Sequence, residues 1–258
     1  MKSETEKQPS FQLTLKLNII KEFGYVLDSN SVILDFGCGS GKLVKEFCEL
    51  GYQAFGCCTR FSSEDAEHTE NMINNGTVRI IDLDNYVLPF EDDTFDFIFS
   101  QSVFEHVKNY SESISEIARV LKPNGFCLHT FVSRYRPIEP HVYVPFSSVI
   151  QKTSWLNFWT FLGIRNEWSA ELDARETSIK FYNYLKEETN YLSRKQIANE
   201  FGMHFEDVKF CENLLNKYSL VKGKFLYSLS KLFPFIPYIY SALYSRAVFT
   251  RYPKKKSC

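Results

Sequence analysis

The sequence predicts an α/β fold in which a mainly parallel sheet carries helices on both faces. Short apolar runs such as residues 32–36 and 95–100 are typical of buried strands, and segments with helical spacing lie between them. Strands that alternate with helices at this spacing indicate βαβ units. Residues 134–192 interrupt the alternation with a Trp- and Tyr-rich stretch. We therefore expect an insertion there that lies over the carboxyl edge of the sheet.

The expected elements follow from local patterns. Residues 11–23 favour a helix because of their length and because Gly24 stops it. Strands are expected at 32–36, 52–58, 78–82, 95–100, 126–132, 204–210 and 247–252. Helices are expected at 41–50, at 111–121, and around 193–201, where Ser193 and Gln196 fit a capping box. Residues 122–125 (KPNG) predict a turn.

Composition narrows the class of protein. A chain of 258 residues is long enough for one large α/β domain. The net charge of −1 argues against a nucleic-acid partner. Seven cysteines without a CxxC pair argue against a disulfide framework or a metal site and indicate a reducing compartment. Because the first ten residues also lack the apolar core of a secretory signal, we expect a cytoplasmic protein.

The glycine-rich loop VILDFGCGSGK at residues 32–42 carries the main functional signal. A triphosphate-binding loop would need glycine at Phe36 and a hydroxyl residue at Leu43, and a dinucleotide loop would need its third glycine one residue after Gly41. The helix N-terminus favours an anion, and Asp35 suits a ligand that also carries a cation. S-adenosylmethionine (SAM), with an amino-acid end, an adenosine and a sulfonium, meets these demands.

Two further stretches are VLPFEDDTFDFIFSQSVFEHV at 87–107 and IARVLKPNGF at 117–126. With the glycine loop they resemble class I SAM-dependent methyltransferases over residues 32–133. The resemblance implies a Rossmann-like, seven-stranded, mostly parallel sheet with helices on both faces and an inserted helical lid. It also suggests that the ending AVFTRYPKK is an antiparallel edge strand. The expected division of the single domain is an N-terminal helical cap (1–31), a SAM-binding core (32–133), a substrate lid (134–192), and C-terminal strands with an aromatic helical segment (193–258).

The resemblance also assigns cofactor contacts. It implies that the methionine end of SAM is held by Asp35, Gly37, Cys38 and Gly39 in the loop that Gly41 completes. It implies that the adenine amino group meets Asp82 or Asp84, with Leu83 in main-chain contact. It places Ser100 and Gln101 next to the sulfonium and the acceptor.

One position departs from the family. At the end of the second strand, where an acid usually binds the ribose hydroxyls, the alignment places Cys58. A thiol is a weak hydrogen-bonding group, so Thr59 or Arg60 would have to help hold the ribose. An inactive SAM-binding partner subunit is therefore an alternative interpretation of the chain.

Two histidines are candidates for the general base of a hydroxyl methylation. His106 follows the fourth strand and lies near the active face. His141 stands in the loop after the fifth strand, and it is the sharper candidate because acceptors bind at the carboxyl ends of the strands. We take His129 to be a core residue of the fifth strand.

The loop around His141 also suggests the acceptor. Arg134, Arg136, Glu139 and Tyr143 are candidate acceptor ligands, and two arginines suit a phosphate or a carboxylate. The pattern SVFEHV, RVLKPNGFCLHTF and RxRxIEPHVxVPF resembles methyltransferases of bacterial surface-polysaccharide (capsule) synthesis. The expected acceptor is a nucleotide-linked sugar or a phosphate- or phosphoramidate-type decoration, and the expected reaction is O-methylation.

Residues 225–244 are strongly aromatic, and Pro234 and Pro237 interrupt them. They lack the ~20 unbroken apolar residues that span a membrane. Of three roles for this segment, we rank internal packing and a homodimer interface ahead of weak peripheral membrane contact, which comes third. The membrane alternative corresponds to a methyltransferase for a quinone or another lipid.

Overall fold

The computed structural model describes residues 8–59, 66–82, 86–219 and 221–254. These residues form ten α-helices and seven β-strands. The strands are β1 (Val32–Phe36), β2 (Gln53–Cys58), β3 (Val78–Ile80), β4 (Phe95–Gln101), β5 (Leu121–Val132), β6 (Phe205–Phe210) and β7 (Ser245–Pro253). The helices are α1 (Phe11–Glu22), α2 (Lys42–Glu49), α3 (Ala66–Asn74), α4 (Tyr110–Val120), α5 (Thr153–Phe161), α6 (Ala174–Glu187), α7 (Arg194–His204), α8 (Glu212–Tyr218), α9 (Val221–Ser230) and α10 (Ile236–Leu243).

The strands form one seven-stranded sheet in the order β3-β2-β1-β4-β5-β7-β6. β1 to β5 are parallel to one another, and β7 is antiparallel to both β5 and β6. The predicted antiparallel strand exists, but its predicted place at the edge is wrong. Ala247, Val248 and Phe249 are fully buried, so β7 needs a neighbour on both sides. The more polar β6 forms the edge instead, where charged side chains protect an unpaired strand.

Apolar layers cover both faces of the sheet because alternate residues of each strand point to opposite faces. Phe97 and Phe99 of β4 pack in one layer with α1 and α2, whereas Ile98 packs in the other layer with α4 and α7. These three side chains are fully buried. Burial of such a side chain contributes roughly 1.5–3 kcal/mol, so the two layers fix which face each helix covers.

Most predicted boundaries agree with the structure to within two residues, and the Ser193–Gln196 capping box of α7 is confirmed. The predicted turn at 122–125 is instead an irregularity within β5. Phe95 of β4 is aligned with Leu121, but Phe97 is aligned with Phe126, so the intervening residues of β5 form no regular ladder. The sequence patterns gave no indication of α3.

The predicted insertion contains α5 and α6, which pack on each other around a small apolar cluster of their own that includes Leu156 and Phe181. Its end is tied to the loop that follows β4. The Asn190 side-chain amide donates to the carbonyl oxygen of Val107 at 2.8 Å, and the Lys108 ammonium donates to that of Thr189 at 2.7 Å. The insertion therefore lies against the carboxyl end of β4.

The aromatic segment near the C-terminus forms α9 and α10. Several of its apolar side chains are exposed: Phe225, Leu232, Phe233, Phe235 and Ile239. Within the described ranges, no helix has both the length and the apolar character needed to cross a membrane.

Candidate active site

The glycine loop between β1 and α2 is shaped by backbone conformations that only glycine adopts readily. Gly37, Gly39 and Gly41 have φ angles of +82°, +54° and +73°. A Cβ at Gly37 would lie 2.8 Å from Val103 Cγ1. The backbone therefore approaches the loop after β4 more closely than a side chain would permit, as a loop that holds a ligand must.

A cavity of about 460 Å³ opens beside this loop. Gly37, Gly39, Cys58 and Thr59 line one side of it, and His106 lines another. This combination of a glycine cradle, a strand-end position on β2 and an apolar wall fits an adenosine-bearing cofactor. We call it the cofactor cavity.

The predicted ribose position has an unusual environment. Cys58 is buried at the end of β2, and the thiol of Cys38 in the glycine loop donates a hydrogen bond to its sulfur. That bond holds the pKa of Cys58 below its usual value, whereas the pKa of Cys38 is raised. Cys58 and Thr59 both line the cavity.

The predicted adenine contacts are only partly visible. Asp82 is exposed just beyond β3, and its carbonyl oxygen accepts a hydrogen bond from the Tyr86 N–H at 3.0 Å. Leu83, Asp84 and the predicted ribose neighbour Arg60 lie outside the described residues.

At the end of β4 the structure separates the two predicted neighbours of the sulfonium. Ser100 is fully buried, and its hydroxyl lies 2.9 Å from His129 Nδ1 inside the sheet. Ser100 therefore faces the core. Gln101 points to the opposite side of the sheet, because successive residues of a strand alternate between the two sides. Ser102, two residues later and with φ +55°, lines the cofactor cavity in its place. The expected core position of His129 agrees with its complete burial.

Gln101, the other predicted neighbour of the sulfonium, contacts Lys16, a residue that the sequence patterns did not single out. Its Oε1 accepts a hydrogen bond from Lys16 Nζ of α1 at 2.6 Å. Lys16 is only 3% exposed, and burial lowers its pKa to about 8 even though Asp35 and Glu46 attract its charge. Asp35 is itself buried at the end of β1, and burial raises its pKa to about 7 while Lys16 opposes the rise. A signal existed in the sequence, because Lys16 lies three residues from both Leu13 and Ile19 on the apolar face of the helix.

The two candidate histidines lie side by side. The ring centroids of His106 and His141 are 4.9 Å apart, and the planes meet at 74°. His106 Nδ1 bonds the backbone carbonyl of Glu188 at 2.7 Å, and His141 Nδ1 bonds Glu139 Oε1 at 2.6 Å. His106 lines the cofactor cavity, and His141 is not among the residues that line it.

Glu139 orients the ring of His141 through a hydrogen bond. Its carboxylate is fully buried and accepts hydrogen bonds from the Tyr191 hydroxyl and from the backbone N–H groups of His141 and Val142. Burial alone would raise the pKa of Glu139, but the hydrogen bonds, His141's foremost, hold it below the usual value. The sequence did not reveal Tyr191, because 52 residues separate it from Glu139.

The remaining predicted acceptor ligands are dispersed. Arg136 lines a second cavity, described below, that borders Gln101 and Ser102. Arg134 is half-buried, and Tyr143 is 46% exposed. Neither residue lines the cofactor cavity or the second cavity.

Glu105 is a buried acid beside the histidines. It is 1% exposed, and neither of its carboxyl oxygens has a hydrogen-bond partner among the residues that the structure describes. Burial raises its pKa to about 7, and the nearby His141 and Glu139 act in opposite directions. Glu105 therefore keeps its proton to a higher pH in the folded protein than an exposed glutamate does.

Glu105 should make the protein less stable as the pH rises from 4.5 to 7. Its folded-state pKa lies above the ordinary value of 4.5, so the unfolded chain loses the proton first. The unfolding free energy should therefore fall by about 1.4 kcal/mol per pH unit in that window relative to Glu105→Gln, and the difference should be constant above it. Urea unfolding of both proteins from pH 4 to 8 measures this, with the exposed Glu112, changed to Gln, as the control. Parallel curves would contradict a carboxyl that stays protonated when folded.

No cluster of three or more His, Cys, Asp or Glu side chains suited to a metal ion occurs in the part of the chain that the structure describes.

Comparison with known proteins agrees with this geometry. Residues 34–129 match the family model described as a methyltransferase domain. A sterol 4-C-methyltransferase of Caenorhabditis elegans is 31% identical over 101 residues, which are 38% of this chain and 30% of that protein. The chain thus spans less than a third of the length of this curated relative.

Two solved structures share the fold. A phosphoethanolamine N-methyltransferase of Haemonchus contortus in complex with SAM is 18% identical, with a TM-score of 0.51 over 94% of this chain and 53% of that chain. A SAM-dependent methyltransferase of Mesorhizobium loti is 12% identical, with a TM-score of 0.51 over 94% of this chain and 100% of that chain. The predicted seven-stranded, mostly parallel fold is therefore confirmed. Over residues 34–129 the chain is therefore similar to methyltransferase domains.

Proposed function

We propose that the chain is a SAM-dependent O-methyltransferase in which His106 takes the proton from a hydroxyl group of a small polar acceptor. The position of His106 carries this proposal. It lines the same cavity as Gly37 and Gly39, and its Nδ1 is engaged by the Glu188 carbonyl. The lone pair of Nε2 is then available to a ligand in the cavity.

SAM supplies a methyl group that is already activated by the sulfonium. The tasks left to the protein are alignment, exclusion of water and removal of the acceptor proton. Burial lowers the pKa of His106, so its ring is neutral and able to accept a proton at pH 7. Glu139 and Glu188 act in the opposite direction and stabilise the imidazolium once it forms.

Glu139 and His141 are positioning residues in this scheme. The buried carboxylate of Glu139 orients the His141 ring, which packs edge-on against His106. The sequence favoured His141 as the base. The position of His106 on the cavity wall is the reason for preferring it here.

For the acceptor, we propose a small polar precursor of a bacterial surface polysaccharide, either a nucleotide-linked sugar or a phosphate-type decoration. The resemblance of the loops after β4 and β5 supports this class. We also propose that residues 134–192 act as the substrate lid, because their end is bonded to the loop that carries His106. The cytoplasmic location and the homodimer stay predictions from the sequence.

The test is a screen for release of S-adenosylhomocysteine with nucleotide-linked sugars and phosphorylated hydroxyl compounds, followed by location of the new methyl group by NMR. Methylation on oxygen supports the proposal, and methylation on nitrogen or carbon contradicts it. Calorimetric binding of SAM without turnover on any acceptor would instead support an inactive partner subunit.

A second candidate is methylation of a lipid acceptor, favoured by the exposed aromatic side chains in α9 and in the segment between α9 and α10. Co-sedimentation with liposomes that contain anionic lipids tests it. Phe233→Ser and Phe235→Ser should abolish binding if these side chains enter the interface. Absence of binding by the wild-type protein would remove the support for this candidate.

A further inference from the structure

A second cavity of about 240 Å³ lies at the carboxyl ends of β4 and β5, beneath α1 and α10. Gln101, Thr130 and Val132 form its floor, and Ser102 is shared with the cofactor cavity. The glycine loop does not line it. It is therefore a neighbouring compartment that meets the cofactor cavity where β4 ends.

The lining of this cavity is cationic. Lys16 and Arg136 both line it, and none of the lining residues is an aspartate or a glutamate. The remaining polar side chains are amides and hydroxyls that can donate hydrogen bonds: Gln12, Gln101, Ser102, Thr130, Ser219, Tyr240 and Ser245. Two cations with surrounding donors and no acid suit a ligand with a negatively charged oxygen group.

The burial of Lys16 also calls for a function. An ammonium on a side chain that is only 3% exposed costs several kcal/mol of hydration, and an apolar side chain of similar length would avoid that cost. Asp35 and Glu46 attract the charge, and Gln101 accepts a hydrogen bond from one of the three N–H donors of the ammonium. An anion in the cavity would offset more of the lost hydration.

We propose that the cavity between Lys16 and Arg136 binds an oxyanion, a carboxylate or a phosphate, that belongs to the methyl acceptor. The position of the cavity favours the acceptor over the cofactor as the source, because the cavity lies at the ends of β4 and β5 and the glycine loop lies at the end of β1. The acceptor is then an anionic small molecule whose charged end is held by α1 and the loop after β5, and whose reactive end reaches Ser102. This assignment rests on the proposed function, but the binding of an oxyanion is measurable without turnover.

The test uses inorganic phosphate and acetate as probes with the full chain saturated with SAM. Calorimetry and thermal shift, against chloride at equal ionic strength, should show binding to the wild-type protein that weakens at least tenfold in Lys16→Met and in Arg136→Gln. Matched controls are Lys21→Met, an exposed lysine on the same helix, and Arg175→Gln, an exposed arginine that does not line the cavity. Both controls should bind as the wild-type protein does.

Because Lys16→Met changes a buried position, Arg136→Gln at a half-buried position is the second, independent variant. Absence of phosphate and acetate binding by the wild-type protein, or unchanged binding by Arg136→Gln, overturns the proposal.

A separate measurement identifies the source of the oxyanion. SAM and 5′-methylthioadenosine, which lacks the amino-acid end, should each bind Lys16→Met with a Kd within threefold of the wild-type value. If the variant weakens SAM but not 5′-methylthioadenosine, the cavity holds the carboxylate of the cofactor, and the assignment to the acceptor is wrong. A screen in which no acceptor is methylated would contradict the proposed function, but the binding measurements would still test the oxyanion site.

Discussion

His106→Asn should lower kcat by about 10²–10⁴-fold and leave the fold intact, as expected when a general base is removed. The asparagine side-chain nitrogen occupies a position similar to that of Nδ1 of histidine. It can therefore still donate to the Glu188 carbonyl that ties the loop to the insertion. What the variant lacks is Nε2, the atom that we assign to the acceptor proton. Steady-state kinetics with an acceptor found in the screen measure the effect, and the unfolding free energy reports on the fold.

The pH profile separates a base from a merely structural histidine. In the wild-type protein kcat/KM should fall on the acid side with an apparent pKa below 6.5, because burial lowers the pKa of His106 and the protonated ring cannot accept a proton. That limb should vanish in His106→Asn. It should move to lower pH in Glu139→Gln, because the negative charge that helps hold a proton on His106 is then lost.

Controls make the result decisive. His204→Asn alters a histidine that bonds Ser111 and lies outside both cavities, so its kinetics should match the wild type within twofold. The Kd of SAM should change less than about fivefold in His106→Asn. A kcat within a few-fold of wild type, with the acid limb intact, would show that His106 is not the base.

Gly37→Ala should cost about 3 kcal/mol of stability and weaken SAM binding at least tenfold. The alanine would be held at φ +82°, which costs a residue with a Cβ about 1–2 kcal/mol. Its Cβ would also overlap the stiff side chain of Val103, and such overpacking costs typically 1–3 kcal/mol. The loop or Val103 must move to relieve the overlap, and both form the wall of the cofactor cavity.

Gly24→Ala is the matched control because Gly24 has φ +85°, and a Cβ added there would have no described atom within 4 Å. It should show the cost of the backbone conformation alone, with no change in SAM affinity. Val103→Ala in the Gly37→Ala background should recover part of the loss, and the double-mutant cycle measures the coupling between the two positions. Equal losses in the two glycine variants would contradict the close approach at Gly37. Urea unfolding and calorimetry supply both quantities.

Local patterns were sufficient for most of the elements and for the glycine loop, because helical and strand periods and glycine spacing are properties of neighbouring residues. The position of β7 within the sheet could not be predicted from a local pattern. Its inward place depends on pairing with β5 and β6, strands that are distant in sequence. The pattern of the segment indicated a strand and gave no information about its neighbours.

The candidate site shows the same division. Glu139 and His141 are two residues apart, and their contact is local. The proximity of His106 to His141, by contrast, requires the loops after two different strands to meet. Whether Ser100 or Ser102 lines the cofactor cavity depends on where β4 ends and the backbone turns. A strand pattern locates that point only to within a residue or two.

The second cavity is lined by residues that are distant in sequence, and this affects how the protein folds during synthesis. Lys16 comes from α1, whereas Tyr240 and Ser245 come from α10 and the start of β7. The pairing of Glu22 with Lys217 likewise joins α1 to α8 across 195 residues. A ribosome that adds roughly 5–20 residues per second needs tens of seconds to pass from α1 to β7. The core side of α1 can pack on α2 and β4 early in that interval, but the second cavity is complete only once α10 and β7 have been made, long after the glycine loop can fold.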